Sequence, residues 1–219
     1  IVMAVVIPLN LLTLILGNTV ITEVERQISL ETQNALELYV NQVDDAMERM
    51  SVKMYTLSRE DEEFIRLNSK PIDTREEYYR QMESVVKLNI ALSDALKDNN
   101  LVDGVFAYFP EKDYFLEQAG TSQMTKQVRG YVKEQVRTCA PEKNQNWQVA
   151  EIEGVPCLIL ISTYRQACFG AWIDLRTLAD TFGFQKEGNG VLQAFAGADG
   201  TIYHSNRNDA VSIDLNATT

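Results

Sequence analysis

Histidine is nearly missing from this chain: its 219 residues include one, His204. That count excludes most histidine-based metal centres. Cysteine is scarce and odd in number, with Cys139, Cys157 and Cys168. An exported domain can bridge two of them and leave one free, and three buried thiols are an equally good reading. No CxxC, HExxH, GxSxG or Walker A sequence occurs, which removes the common redox, zincin, hydrolase and nucleotide motifs. Positive charge is the minority sign, with 20 Lys and Arg against 31 Asp and Glu and a net charge of −11. Contact with nucleic acid or an anionic lipid leaflet is disfavoured by that balance. Hydrophobic residues make up 45% of the chain, enough for a packed core.

Another absence is local. Residues 1–22 hold no Asp, Glu, Lys, Arg or His, and Leu, Ile, Val, Ala and Met fill most positions. About 20 such residues at ~1.5 Å each cross the ~30 Å core of a bilayer, and a helix does so with its backbone satisfied. Pro8 is tolerable near the helix end. A cleaved signal peptide would have a shorter apolar core and an Ala-x-Ala site. The segment is therefore expected to be a membrane anchor that meets lipid, with residues 23–219 extracytoplasmic. The chain begins at Ile rather than Met, so further residues are expected upstream, where basic residues would fix orientation.

From Glu23 to Leu67 there is no Pro or Gly. Leu36, Tyr39, Val43, Ala46, Met50, Met54 and Leu57 recur at steps of 3, 4, 3, 4, 4 and 3, a helical stripe expected to be mostly buried. Residues 24–34 are poor in apolar side chains and are expected to be exposed. The run Arg59-Glu60-Asp61-Glu62-Glu63 reads as a solvated face near the helix end. After a break around Pro71, Thr74 and Glu77 fit a capping box, and a second helix is predicted to about Lys97. Its apolar side is Tyr78, Met82, Val85, Val86, Leu92 and Leu96.

Strand patterns follow at 102–109 and 114–118, with turn residues Pro110 to Asp113 between them. A helix is predicted over 123–138 with Met124, Val128, Tyr131, Val132 and Val136 inward, closed by Cys139-Ala140-Pro141. Three more strands are predicted at 147–152, 156–163 and 168–174, with turns at Glu153-Gly154 and near Tyr164 to Gln166. A short helix follows at 175–184. Residues 191–196 and 201–205 form a hairpin around Ala198-Asp199-Gly200. It either extends the preceding sheet or opens another module. The fold class is α+β: a transmembrane helix continuing into a long helix, then a PAS-like antiparallel sheet with flanking helices. The domains are 1–22, the span; 23–70, the long helix; 71–187, the PAS-like module; and 188–219, the hairpin of a further module.

With these elements in order, the chain resembles the extracytoplasmic Cache sensor regions of bacterial membrane-bound histidine kinases of the YesM/LytS type. Three stretches carry the resemblance. They are Ile7-Pro8-Leu9-Asn10-Leu11-Leu12 leading to Tyr39-Val40-Asn41-Gln42-Val43-Asp44; Phe169-Gly170-Ala171-Trp172-Ile173-Asp174-Leu175 with Leu178; and Ala198-Asp199-Gly200-Thr201-Ile202-Tyr203-His204-Ser205. The resemblance implies a homodimer that senses a small molecule or an extracytoplasmic protein. It also implies that a second module, a returning helix, a HAMP linker and a kinase follow. The alternatives are an anchored scaffold or adhesion module without signalling output, and the same front end on a chemoreceptor or membrane-bound transcription regulator.

Nothing in the sequence reads as catalytic, and no cofactor, metal or nucleic acid is implied. Glu151 and Glu153 fit an exposed strand end, and Asp199 fits a turn. In Cache modules ligands sit between the sheet and its covering loops and helices. The resemblance therefore makes Tyr108, Tyr114, Trp147, Tyr164, Arg165, Trp172 and Asp174 the ligand candidates, an aromatic wall with one Arg and one Asp suited to a zwitterion or carboxylate. The Arg-x-Trp-Tyr group of the amino-acid-binding subfamily is missing, so that ligand class is not assigned. Cys157 and Cys168 lie on adjacent predicted strands. A turn centred between Ser162 and Thr163 would pair them, whereas a turn nearer Tyr164 to Gln166 puts them out of register.

Overall fold

The computed structural model describes residues 2–69, 74–120, 124–138, 146–184, 193–197 and 201–206. Pro71, the closing Cys139-Ala140-Pro141 and the hairpin turn Ala198-Asp199-Gly200 lie outside the described residues. The chain divides into two compact units, Ile1–Asp44 and Asp45–Thr219.

The first unit is the N-terminal part of helix α1 (Val2–Glu60). Its described side chains, from Val20 on, are exposed or only half-buried, as residues 24–34 were expected to be. Among the described residues no helix is long and apolar enough to cross a membrane. The side chains of residues 1–19 lie outside the description, so the expected span rests on the sequence.

The second unit opens with the last turns of α1. Ala46, Met50, Met54 and Leu57 are buried; of the stripe's upstream members in the first unit, Tyr39 and Val43 are half-buried and Leu36 is exposed. The helix stops at Glu60 instead of reaching Leu67. Asp61 takes an extended conformation, and its carboxylate accepts the N–H groups of Glu63 and Phe64 at 2.9 Å, capping the short helix α2 (Glu62–Leu67). The run from Arg59 to Glu63 is thus not a plain solvated face. Glu63 is largely enclosed; it accepts from the Ser84 hydroxyl at 2.6 Å and pairs with Arg66 at 3.0 Å and Lys87 at 3.4 Å. The Ser84 hydrogen bond, with the two cations, holds its carboxyl below the usual range. The redirected chain brings Phe64 against Phe109 and Phe169, with ring centroids 5.2 and 5.9 Å apart.

Helix α3 (Arg75–Lys97) begins with the expected capping box of Thr74 and Glu77. Its buried face is Gln81, Ser84, Leu88, Leu92 and Ala95. Tyr78 and Val86, expected inside, are 45% and 60% exposed, and Met82, Val85 and Leu96 are half-buried. The rotated face turns two polar residues inward: Ser84, whose one hydroxyl proton is shared between Glu63 and the Arg80 carbonyl at 3.0 Å, and Gln81, whose Oε1 has no hydrogen-bond partner among the described residues.

Five strands form one antiparallel sheet: β1 (Gly104–Phe109), β2 (Tyr114–Ala119), β3 (Trp147–Ile152), β4 (Val155–Tyr164) and β5 (Ala167–Asp174), in the order β2-β1-β5-β4-β3. Side chains alternate between its two faces. One face carries Phe106, Tyr108, Ala150, Ile152, Cys157, Ile159, Cys168 and Trp172. Helix α4 (Thr125–Thr138) covers it with Val128 and Val132, joined by the preceding Met124; Tyr131 and Val136 pack at the margin. The inward set predicted for this helix is the one observed. The other face meets α2, α3 and the end of α1. There Trp147 Nε1 donates to the Met47 carbonyl at 3.1 Å and the Ser51 hydroxyl at 2.9 Å, and Asn99 Nδ2 donates to the Ala46 carbonyl at 2.7 Å. Close approach of β5 to its neighbours needs glycine twice: a methyl on Gly170 would strike the Leu160 carbonyl, and one on Gly104 the Trp172 ring.

The β4–β5 turn is at Arg165-Gln166, with Arg165 in the left-handed region at φ 56°. Cys168 therefore faces Thr163, and Cys157 faces Asp174. Both thiols are free and buried, so the bridge between them is overturned by register. Burial pushes each thiol up to about 12. Helix α5 (Leu175–Thr181) follows β5 directly, capped by the Asp174 carboxylate on the Arg176 N–H at 2.9 Å. Strands β6 (Ala194–Ala196) and β7 (Ile202–Ser205) pair only with each other among the described residues, and Phe195 stacks on Phe184 at 4.9 Å.

Candidate functional site

The seven ligand candidates do not converge. Tyr108, Trp172 and Asp174 point to the α4 face, where alternation and the β1–β5 register bring Tyr108 opposite Cys168 and Trp172 opposite Gly104. Tyr114, Trp147 and Tyr164 occupy the alternate positions, and Arg165 sits exposed in the turn. One aromatic wall therefore becomes two half-walls on opposite sides of a sheet. The α4 face is filled. Phe106, Val128, Val132, Ile159 and Trp172 are all 0% exposed, and Phe106 stacks between Phe115 at 5.6 Å and Trp172 at 6.5 Å.

Each candidate has a defined local task. Tyr108 lends its ring to Lys133, whose ammonium lies 5.4 Å from the centroid, and its hydroxyl reaches Asp113 at 3.4 Å. Burial, with the nearby Asp113 charge, raises the Tyr108 phenol above its usual range. Trp147 fastens α1 to the edge strand. Tyr164 carries guanidinium groups of Arg59 at 5.0 Å and Arg165 at 5.4 Å from its ring centroid, and its carbonyl accepts from Asn68 at 2.8 Å. Trp172 Nε1 is buried with no hydrogen-bond partner among the described residues. Tyr114 is half-buried at the start of β2, opposite Phe109.

The strongest electrostatic feature lies where β5 becomes α5. Asp103 and Asp174 are 7% and 4% exposed, and Asp103 Oδ2 accepts the Asp174 N–H at 2.7 Å. The Arg176 guanidinium holds Asp174 through both oxygens, at 3.1 and 2.7 Å. Burial pushes the Asp103 carboxyl up to about 6; the charge of Asp174 acts in the same direction, and the hydrogen bond from its N–H acts against. Asp103 and Arg176 were not among the sequence candidates. Arg176 had a signal, since an Asp followed two residues later by Arg at a helix start is a cap with a ready counter-ion. Asp103 had none, because an acid before a glycine usually marks an exposed turn.

Among the described residues the arrangement offers no nucleophile–base pair, and no group of His, Cys, Asp and Glu is placed to hold a metal ion. In comparisons with known proteins, no family model matches the chain, and no curated protein matches it.

Proposed function

We propose that this chain is the extracytoplasmic sensing region of a bacterial membrane receptor, of the kind that feeds a two-component histidine kinase. Residues 1–22 are its membrane anchor, the five-stranded sheet with its helices is a PAS-like Cache module, and α1 carries the signal. One observation carries the reading: a single helix, Val2–Glu60, starts in a segment without charge and ends with Ala46, Met50, Met54 and Leu57 in the domain core. A cue that biases the packing of the sheet on those turns acts on the helix whose N-terminal part is the anchor; ~1–3 kcal/mol of coupling is enough for a receptor. The strand order β2-β1-β5-β4-β3 supports the PAS-like assignment. A second copy of the chain is the partner that suits the exposed Leu36, Leu38 and Val40.

Two measurements test the reading. Cysteine-accessibility mapping of cells making the chain should find residues near Glu23 reachable from outside and residues 5–18 unreachable from either side. A fusion of the chain to a reporter kinase through a returning span should respond to some metabolite or conditioned medium. A chain that leaves the membrane on a carbonate wash overturns the anchor. A correctly inserted fusion that stays flat across broad panels, yet supports attachment to a surface, favours an adhesion module.

A further inference from the structure

The sheet face opposite α4 is incompletely covered. Between α1 and β4 a groove of about 280 Å³ remains, lined by Ser51, Val52, Tyr55, Leu160, Ser162 and Phe169. Its floor, Leu160 and Phe169, is apolar. Val52 and Tyr55 on its rim are 59% and 40% exposed. The Ser51 hydroxyl is already engaged, donating to the Met47 carbonyl at 2.7 Å and accepting from Trp147 Nε1.

The charge beside this groove is the wrong sign for the molecule. Arg59 lies 4.5 Å from the centroid of Tyr55 and 5.0 Å from that of Tyr164, and Arg165 lies 5.4 Å from the centroid of Tyr164. Among the described residues neither guanidinium pairs with a carboxylate. Of the acids that follow Arg59, Asp61 caps α2 and Glu63 is held by Ser84 and Arg66, while Glu60 and Glu62 are exposed and make no ion pair with it among the described residues. In a chain of net charge −11, two unpaired cations on one tyrosine are an uncommon placement. Helical side chains lean toward the N-terminus, which carries Arg59 back over Tyr55, one of the residues that line the groove. Rings beside the guanidinium plane leave its N–H edges for a planar, bidentate partner.

We infer that the groove between α1 and β4 binds a small carboxylate with an aromatic body, the ring resting on Val52, Leu160 and Phe169 and the carboxylate on Arg59. The volume lies just under the roughly 300–1,000 Å³ of sites for drug-sized ligands, which limits the body to about one ring. An inorganic anion would leave the apolar floor wet, and an amine would meet Arg59 with like charge. The inference goes beyond the sensor reading and does not need it, because the site is defined by local chemistry.

The test uses phenylacetate, with phenylacetamide and acetate as controls, titrated into the full 219-residue chain. The two tryptophan indole N–H signals are read by NMR. Trp147 bonds to Ser51 in the groove wall, while Trp172 is buried on the opposite face. Phenylacetate should move the Trp147 signal saturably and leave Trp172 in place. Phenylacetamide and acetate should bind at least tenfold more weakly. Arg59→Gln should weaken phenylacetate at least tenfold and leave phenylacetamide unchanged. Val52→Glu, at a position exposed enough to keep the fold, should abolish the response. No saturable shift, equal binding of acid and amide, or an Arg59→Gln variant that binds as before would each overturn the site. So would a Trp147 signal that moves with protein concentration instead of ligand, which would show a second copy in the groove. Any of these leaves the membrane and signalling tests of the sensor reading to stand or fall separately.

Discussion

Two stretches of one helix, compared, explain most of how this molecule is built. Residues 24–42 of α1 carry Val24, Ile28, Leu30, Leu36, Leu38 and Val40, all 47–58% exposed. Residues 46–58 carry no more apolar side chains, yet Ala46, Met50, Met54, Leu57 and Ser58 are buried. Phase alone does not separate the stretches, because Leu36 continues the stripe of Met50 and Met54 and is still 51% exposed; what separates them is whether the domain covers the stripe. The buried set recurs at steps of 4, 4 and 3 from Ala46 to Leu57 and stays on one side; Leu36, Tyr39 and Val43 extend the same stripe upstream, where burial fades to half and then to none. Side-chain hydrogen bonds from Asn99 and Trp147 to helix carbonyls then fasten the phased stretch. Helix propensity forms both stretches, but packing captures only one.

The sharpest way to break that comparison is to put a charge in each stretch. Met50→Asp places a carboxylate at a position 1% exposed and should cost several kcal/mol, roughly 3–5, seen as a large drop in thermal unfolding temperature or failure to fold.

A smaller effect belongs to the domain alone. The Asp103 carboxyl is raised from its ordinary 3.8 to about 6, so between those values the folded state holds the proton more tightly than the unfolded chain does. Stability from this group is therefore present at low pH and lost as pH rises through 6, by about 2–3 kcal/mol in all. Asp103→Asn should remove that slope while keeping an acceptor for the Asp174 N–H. Chemical denaturation at pH 4.5 and 7.5 checks it; an unchanged slope in the variant would assign the titration elsewhere.

Next comes the fastening itself. Trp147→Phe keeps an aromatic ring, though a smaller one, but loses the bonds to Met47 and Ser51, and should cost about 1 kcal/mol in denaturant unfolding. A loss within error would mean that the phased apolar stripe alone holds α1 to the edge strand. The smallest effect is expected at Gln27→Asp, an exposed position whose amide donates to Glu31 at 3.1 Å, where the shift should stay within about 0.5 kcal/mol. A shift comparable to that of Met50→Asp would show that the lower stretch is packed.

Much of this was legible. Strand β3 falls at 147–152 as read, β1, β2, β4, β5, β7 and α4 lie within two residues of their predicted ends, and Thr74–Glu77 caps α3 as the sequence signals. The misreadings share one cause, polar residues doing interior work. Gln81 and Ser84 sit on the buried face of α3, so a reading by hydrophobicity turned that helix toward Tyr78 and Val86. Asp61, inside a run that reads as solvent-facing, ends α1, and Glu63 beside it is enclosed. The candidate site failed for a geometric reason. Tyr108 and Trp172 share a face because their strands pair in register, while Trp147 and Tyr164 are on alternate positions, and only the pairing reveals which parity faces which side. Arg59 could have been noticed four residues after Tyr55, a spacing that stacks the two on one helix face.

Native-state hydrogen exchange along α1 tests the central claim most directly, that the sheet captures the last turns of this helix as part of its own core. The amides of residues 46–58 should exchange only through the opening that releases β4 and β5, with the same free energy as those strands, and should lose protection with them in Trp147→Phe. Amides of 46–58 that exchange far faster than β4 and β5, and stay unmoved by Trp147→Phe, would contradict the claim and with it the direct link from sheet to N-terminal segment.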